Sequence, residues 1–285
     1  MTSNKALHLV TNMLSAAKID DACFEAELLL RHLLGISKAQ LYCEPERMLT
    51  KEEMINLQYL VKRRLSHEPA AYILRCCEFY GIDFYIDQRA LVPRPETELL
   101  VEEAIRFAHH HSSSGDKFIV ADVGTGSGAV AISLAIALPK ARVYAMDISA
   151  SALQVANINC QRYQVNEQVT LLQGDLLEPL PEPVDVIVAN LPYIKIGELK
   201  TLSPEITNFE PTIALDGGED GLDKIRSLLD QTPGEIRPQG CLLLEIGQEQ
   251  DKVVTSLVNS CFPQASIELI PDLSNINRVI KVIIS

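Results

Sequence analysis

The chain changes texture at Lys117, and that change limits its fold more than any other feature. From there, short apolar runs alternate with longer helical stretches. The runs Phe118–Val123, Arg142–Met146, Val169–Leu172, Val184–Ala189, Cys241–Ile246, Ala265–Ile270 and Arg278–Ile284 read as seven candidate strands. A helix is expected over Ala129–Leu138 and another from about Ala150. Strand–helix alternation requires a mostly parallel sheet covered on both faces, an α/β architecture. Upstream, residues 1–75 are helical in pattern. Leu7, Val10, Leu14 and Ala17 form one apolar stripe, and Ala22, Ala26, Leu29, Leu30 and Leu33 form a second. Thr50 with Glu53 is a capping-box signature for a third helix, carried on by Met54, Leu57, Val61 and Leu65. A small helical bundle follows, either a scaffold or a partner-binding module.

Residues 76–92 read as a linking β-hairpin, with Phe79, Tyr80, Phe84, Tyr85 and Ile86 as strand formers and Gly81 and Asp83 as turn residues. The domain expected from residue 93 to residue 285 opens with a helix. Pro95 suits its first turn, Glu96 and Glu98 its positive end, and it should reach about Ala108. His109, His110, His111 and the following Ser112–Gly115 read as a solvated helix end and loop. Consecutive histidines point in different directions, so a shared metal ion is not expected.

Composition narrows the function classes. The 285 residues are 47% apolar and 22% charged, the balance of a globular protein, and the formal charge is −13. So acidic a chain has no broad basic face for phosphate backbones, and stable nucleic-acid binding is not expected. Even Ala129–Leu138, the longest apolar stretch, contains Ser133, so no membrane span is expected. The first ten residues are too mixed for a signal peptide. Seven scattered cysteines without a CxxC pair fit reduced thiols in the cytoplasm.

The first strand of the α/β half runs into a glycine loop, DVGTGSGAVA at 122–131. Gly124, Gly126 and Gly128 permit a tight turn and a close ligand, and the helix behind offers free N–H groups. Either the carboxylate end of S-adenosylmethionine or a dinucleotide pyrophosphate would suit such a site, and Gly124, Gly126 and Ala129 also satisfy GxGxxA. Asp147, ending the second strand, can accept from both ribose hydroxyls or cap the next helix. Asp175, after the third strand, can accept from an adenine amino group or simply form a turn. Asp122 is read as orienting the loop.

The fourth strand ends at Asn190-Leu191-Pro192-Tyr193. Strand ends of an open α/β sheet face the ligand crevice, so Asn190 should face the glycine loop. This tetrapeptide suits methyl transfer to an –NH₂ on an sp² carbon, where the nitrogen lone pair is delocalised and weak. The Asn190 side-chain oxygen and the Leu191 carbonyl can accept its two N–H groups and draw the nitrogen toward a tetrahedral shape. Pro192 stiffens the turn, and Tyr193 offers a face for a planar group.

The chain resembles the HemK-type protein-(glutamine-N5) methyltransferases, which modify peptide chain release factors. The likeness rests on LVPRPETE at 91–98, DVGTGSGAVA at 122–131, Asp147 with Ser149 and Ala152-Leu153, NLPYI at 190–194, PEITNFEPTIALDGGEDGL at 204–222 and LLLEIGQEQ at 242–250. It implies a class I S-adenosylmethionine-dependent fold, a Rossmann-like seven-stranded sheet behind a helical domain. It also implies methylation of the glutamine in a Gly-Gly-Gln loop. Carried over, Gly124, Thr125, Gly126, Ser127, Gly128 and Asp147 bind cofactor, Asp175 and Leu176 flank the adenine, and Asn190 lies near both cofactor and substrate. Asn190, Leu191, Pro192 and Tyr193 bind the glutamine amide. Two departures stand out: Leu191 replaces the first proline of the usual NPPY, and Arg75 stands where the family commonly has glycine. Glutamine methylation of a ribosomal protein, amino methylation of adenine or guanine, and nicotinamide chemistry are the competing readings.

Overall fold

The structure, a computed structural model, describes residues 1–111 and 117–284. The expected Ser112–Gly115 loop lies outside the described residues. By internal contacts the chain forms two compact units, one of Met1–Cys76 with Ser203–Phe209 and the other of Cys77–Leu202 with Glu210–Ser285.

The first unit holds α1 (Ser3–Ala16), α2 (Ala22–Leu34), α3 (Lys38–Cys43), α4 (Lys51–Leu65) and α5 (Ala70–Leu74), with the segment Ser203–Phe209. The two apolar stripes close its core: Leu7, Val10, Leu14, Ala26, Leu29 and Leu30 are all buried. The Thr50 hydroxyl accepts from Glu53 N–H (3.1 Å), and the Glu53 carboxylate accepts from Thr50 N–H (2.8 Å). Such a cap contributes about 1 kcal/mol. Helices α3 and α5 were not anticipated because six and five residues carry too little periodicity. Arg75 ends α5 in the left-handed conformation, φ +54°, which explains why glycine suits this position.

Arg64 on α4 is buried and meets the carboxylates of Glu25 and Glu205 and the Glu68 carbonyl (3.3 Å). Burial works against its charge, but the hydrogen bonds to Glu25 and Glu205 outweigh it and hold the guanidinium above its ordinary pKa. Arg64→Ala should lower the stability of this unit by about 3 kcal/mol, because it strands two carboxylates on a dry guanidinium site. Urea unfolding checks this, and an unchanged midpoint would show that the network is not structural.

The second unit opens with β1 (Cys77–Phe79) and β2 (Ile82–Phe84), an antiparallel pair. The turn is Tyr80-Gly81, both at positive φ (+52° and +70°), a two-residue hairpin turn. Asp83 therefore belongs to the strand. A 3₁₀ turn at Pro95–Thr97 leads into α6 (Glu98–His111). The helix runs past Ala108 to include all three histidines; His111 stacks on Phe107 one turn back, with ring centroids 3.9 Å apart.

There follow β3 (Ile119–Val123), α7 (Ala129–Ala137), β4 (Arg142–Asp147), α8 (Ala150–Tyr163), β5 (Val169–Gln173), β6 (Val184–Ala189), α9 (Pro204–Phe209, of the first unit), α10 (Asp223–Gln231), β7 (Ile236–Glu245), α11 (Asp251–Cys261), β8 (Ser266–Pro271) and β9 (Asn277–Ile283). The seven-stranded sheet has the order β5-β4-β3-β6-β7-β9-β8, with β9 running opposite to the other six strands. Side chains alternate across it. Val120, Val143, Val186 and Leu243 pack with α6 and α7, while Ile119, Tyr144, Ile187 and Leu242 pack with α10 and α11. Burial on both faces explains the unbroken apolar runs. The order reverses at β3, so the carboxyl ends of β3 and β6 open on one crevice. Among the described residues no helix is long and apolar enough to cross a membrane.

Candidate active site

Register brings the two motifs together. Val123 of β3 pairs with Ala189 of β6, so Gly124 and Asn190 are neighbours at the carboxyl ends of these two central strands. Gly124 has φ +75°, and a Cβ there would stand 3.3 Å from Leu191 Cδ2. The loop is fixed from beneath. The Thr125 hydroxyl donates to Asp122 Oδ2 (2.6 Å), and Ala131 N–H donates to the same oxygen (3.0 Å). Asp122 thus orients the loop, as its place in the sequence suggests. Gly126 N–H donates to Asp147 Oδ2 (2.9 Å) and Ser149 N–H to Asp147 Oδ1 (2.8 Å). Ser149, not Asp147, caps α8, accepting from Ala152 N–H at 3.2 Å. Burial raises the Asp147 pKa despite these two donors.

One cleft is lined by Gly124, Gly126, Asp147, Asp175, Leu176 and the Asn190–Pro192 turn, all of the second unit. Pro211, Ile213 and Ala214 close it on the far side, with Lys224 3.7 Å from Asp175. The other residues named from the sequence lie elsewhere. The Thr125 hydroxyl is turned down to Asp122, Ser127 is buried with its carbonyl accepting from Asn159 Nδ2 (2.9 Å), and Gly128 packs against Ile132 and Ala156. Tyr193 lies just beyond the cleft, partly buried, and burial raises its pKa, helped by nearby Glu245.

The Asn190–Tyr193 turn is held largely through its backbone. Ile194 N–H donates to the Leu215 carbonyl (3.1 Å), and Gly217 N–H donates to the Ile194 carbonyl (2.9 Å). Gln250 Nε2 donates to the Tyr193 carbonyl (3.1 Å). A Cβ on Gly221 would collide with that same carbonyl oxygen. These residues fall in the quoted DGGEDGL and EIGQEQ segments, where the sequence offered glycines but no sign of what approached them. Leu191 is buried in the apolar layer beneath the cleft, so the side chain that replaces proline is a packing element. Among the described residues nothing donates to its carbonyl. Asn190 Nδ2 donates to Thr97 Oγ1 (2.9 Å), a partner 93 residues upstream that no local pattern reveals, and this leaves Oδ1 as the acceptor.

Comparison with known proteins decides the family. The chain is 38% identical over 267 residues to a release factor glutamine methyltransferase of Chlorobaculum tepidum, covering 92% of this chain and 90% of that protein. The protein of the same name from Moorella thermoacetica is 37% identical over 279 residues, 98% and 97% of the two chains. The chain belongs to the release factor glutamine methyltransferase family. Consistent with this family, the model described as the PrmC N-terminal domain matches residues 5–74, and that of ribosomal protein L11 methyltransferase (PrmA) matches residues 103–217. Solved structures are alike in fold. The hMettl16 catalytic domain matches with a TM-score of 0.58 at 11% identity, over 82% of each chain. A methyltransferase from Pyrococcus furiosus matches at 0.51 and 17%, over 72% of this chain and 89% of that one. The second unit is thus a class I methyltransferase fold.

Asp122 gives the site a titration signature. Burial pushes its carboxyl up to about 7 from an ordinary 3.8. Between those values the folded chain keeps a proton that the unfolded chain releases, so the contribution of Asp122 to stability declines as pH rises through that window. Asp122→Asn keeps an oxygen for both donors and does not titrate. Its unfolding free energy should fall less than that of the parent between about pH 5 and pH 7.5. An equal fall in urea titrations would place the source elsewhere.

Proposed function

We propose that this chain, in the cytoplasm, transfers a methyl group from S-adenosylmethionine to the side-chain amide nitrogen, N5, of the glutamine in the Gly-Gly-Gln motif of peptide chain release factors. The observation that carries this reading is the Asn190–Tyr193 turn, set against a rigid glycine loop in a chain of this family. In the same proposal residues 1–75 serve the protein substrate, 76–92 link, and 93–285 carry the chemistry. The seven cysteines are free thiols, which suits the cytoplasm.

The residues of the cleft fit the cofactor. Gly124 and Gly126 leave the loop open where a Cβ would narrow it, and Asp147 retains lone pairs for ribose hydroxyls beyond its two backbone donors. Leu176 and Ala214 offer apolar walls for a purine, with Asp175 at its rim. Bound there, S-adenosylmethionine supplies an electrophilic methyl group on a positively charged sulfur.

The chain itself prepares the nucleophile. Asn190 Oδ1 and the Leu191 carbonyl accept the two N–H groups of the glutamine amide, which draws the nitrogen lone pair out of conjugation. As positive charge grows on that nitrogen, both acceptors bind it more strongly than they bind the resting amide. Pro192 and the backbone bonds around Ile194 fix the acceptors in advance, so little reorganisation remains for the reaction itself.

The test is incubation with methyl-labelled S-adenosylmethionine and an unmethylated release factor, beside a copy whose Gly-Gly-Gln glutamine is changed. Label on the first and not the second is expected; label on neither, with cofactor binding shown separately, would overturn the substrate assignment. Asn190→Ala should cut transfer by about 100-fold or more while cofactor Kd stays nearly constant. A matching loss of cofactor affinity would move Asn190 into the cofactor site. Asp147→Ala should weaken cofactor binding by about tenfold or more, read by calorimetry, since it removes an ionised acceptor; unchanged affinity would reject its ribose role.

A further inference from the structure

Glu245 ends β7 and is buried, with an Oε2 atom that has no hydrogen-bond partner. A buried carboxylate with an unpartnered oxygen is costly and calls for a reason. Its position supplies one. Ala189 of β6 pairs with Leu244 of β7, so Asn190 and Glu245 are the next residues on adjacent parallel strands. Thr97 stands between them: its hydroxyl lies beside the Glu245 carboxyl and draws that group's pKa down, and its oxygen accepts from Asn190 Nδ2 at 2.9 Å. Thr97 is itself buried, in the 3₁₀ turn before α6.

We propose that Glu245 is a positioning residue which, through Thr97, sets which end of the Asn190 side-chain amide faces the substrate. The inference rests on the function proposed above. An ionised carboxylate can only accept. Thr97 must then spend its one proton on Glu245 and turn its lone pairs to Asn190. Those lone pairs can take only the –NH₂ end, so Oδ1 is left for the glutamine N–H. Without the carboxylate the Thr97 hydroxyl is free to donate to Oδ1 instead. The amide then turns over and presents donors to a donor.

The groups around Glu245 poise this device. Burial raises its pKa to about 7 and nearby Glu96 adds to the rise, while Thr97, Arg278 and Arg94 pull the other way. Tyr193 also lies within its field. Once protonated, Glu245 becomes a donor and releases the Thr97 proton. The relay is therefore directional above pH 7 and loses direction below it.

The first measurement needs no substrate. In the free full-length protein, the Asn190 side-chain ¹H–¹⁵N resonances should titrate with a midpoint near 7 and lose that step in Glu245→Gln. Thr97→Val should shift them even where the variant is folded by circular dichroism. Asn190 resonances that ignore both variants overturn the inference, whatever the protein methylates. The second measurement is transfer to release factor. Glu245→Gln should lower kcat by about tenfold with cofactor Kd unchanged, and should flatten the loss of kcat below pH 7. Combining it with Thr97→Val should cost little more than either change alone. Unaltered kcat and pH profile in Glu245→Gln overturn the inference. If the parent relays in the resonance experiment yet fails to label a release factor, the substrate assignment falls and the relay stands.

Discussion

A single buried carboxylate organises the carboxyl end of the sheet where the chemistry is proposed. Asp122 sits inside β3, out of water, and one of its oxygens takes both the Thr125 hydroxyl and the Ala131 N–H. It ties the glycine loop to the strand before it and the helix after it. Asp147 then holds Gly126 from the next strand, and Asn159 of α8 holds the Ser127 carbonyl. Three polar anchors on three elements leave the loop little freedom. Such a loop meets its ligand already shaped, and the entropy of ordering it is met during folding.

The turn after β6 is held by the opposite strategy. Its partners are mainly backbone groups of residues 215–218 and the Gln250 side chain. A surface held that way tolerates a change of side chain. Leucine at 191 points into the apolar layer, while the proposed chemistry at that residue uses a carbonyl. The departure from NPPY is then one of packing.

Much of this was legible in the sequence, and the limits have physical causes. The strands buried on both faces announced themselves as continuous apolar runs, and Thr50 with Glu53 marked its helix start because a capping box is local. Asp122 was readable because its partners lie within nine residues of it. Thr97 and Glu245 were not, since they meet Asn190 only through the order in which the strands stack. Asp83 was misplaced because a two-residue turn with Tyr80 at positive φ carries weaker turn chemistry than an aspartate suggests. His109–His111 continued α6 because Phe107 offered His111 a ring to stack on.

The sheet also has to stop somewhere. At one side the last strand is β8, whose outer row of backbone groups would otherwise invite pairing with another chain. Its register slips between Ile270 and Pro271, and the proline has no N–H to offer. Glu268 on the same strand carries charge and is matched across to Lys281 of β9 at 3.7 Å. A bulge, a proline and a charge make a poor template for strand addition. This edge terminates the sheet and guards the chain against aggregation as it is made.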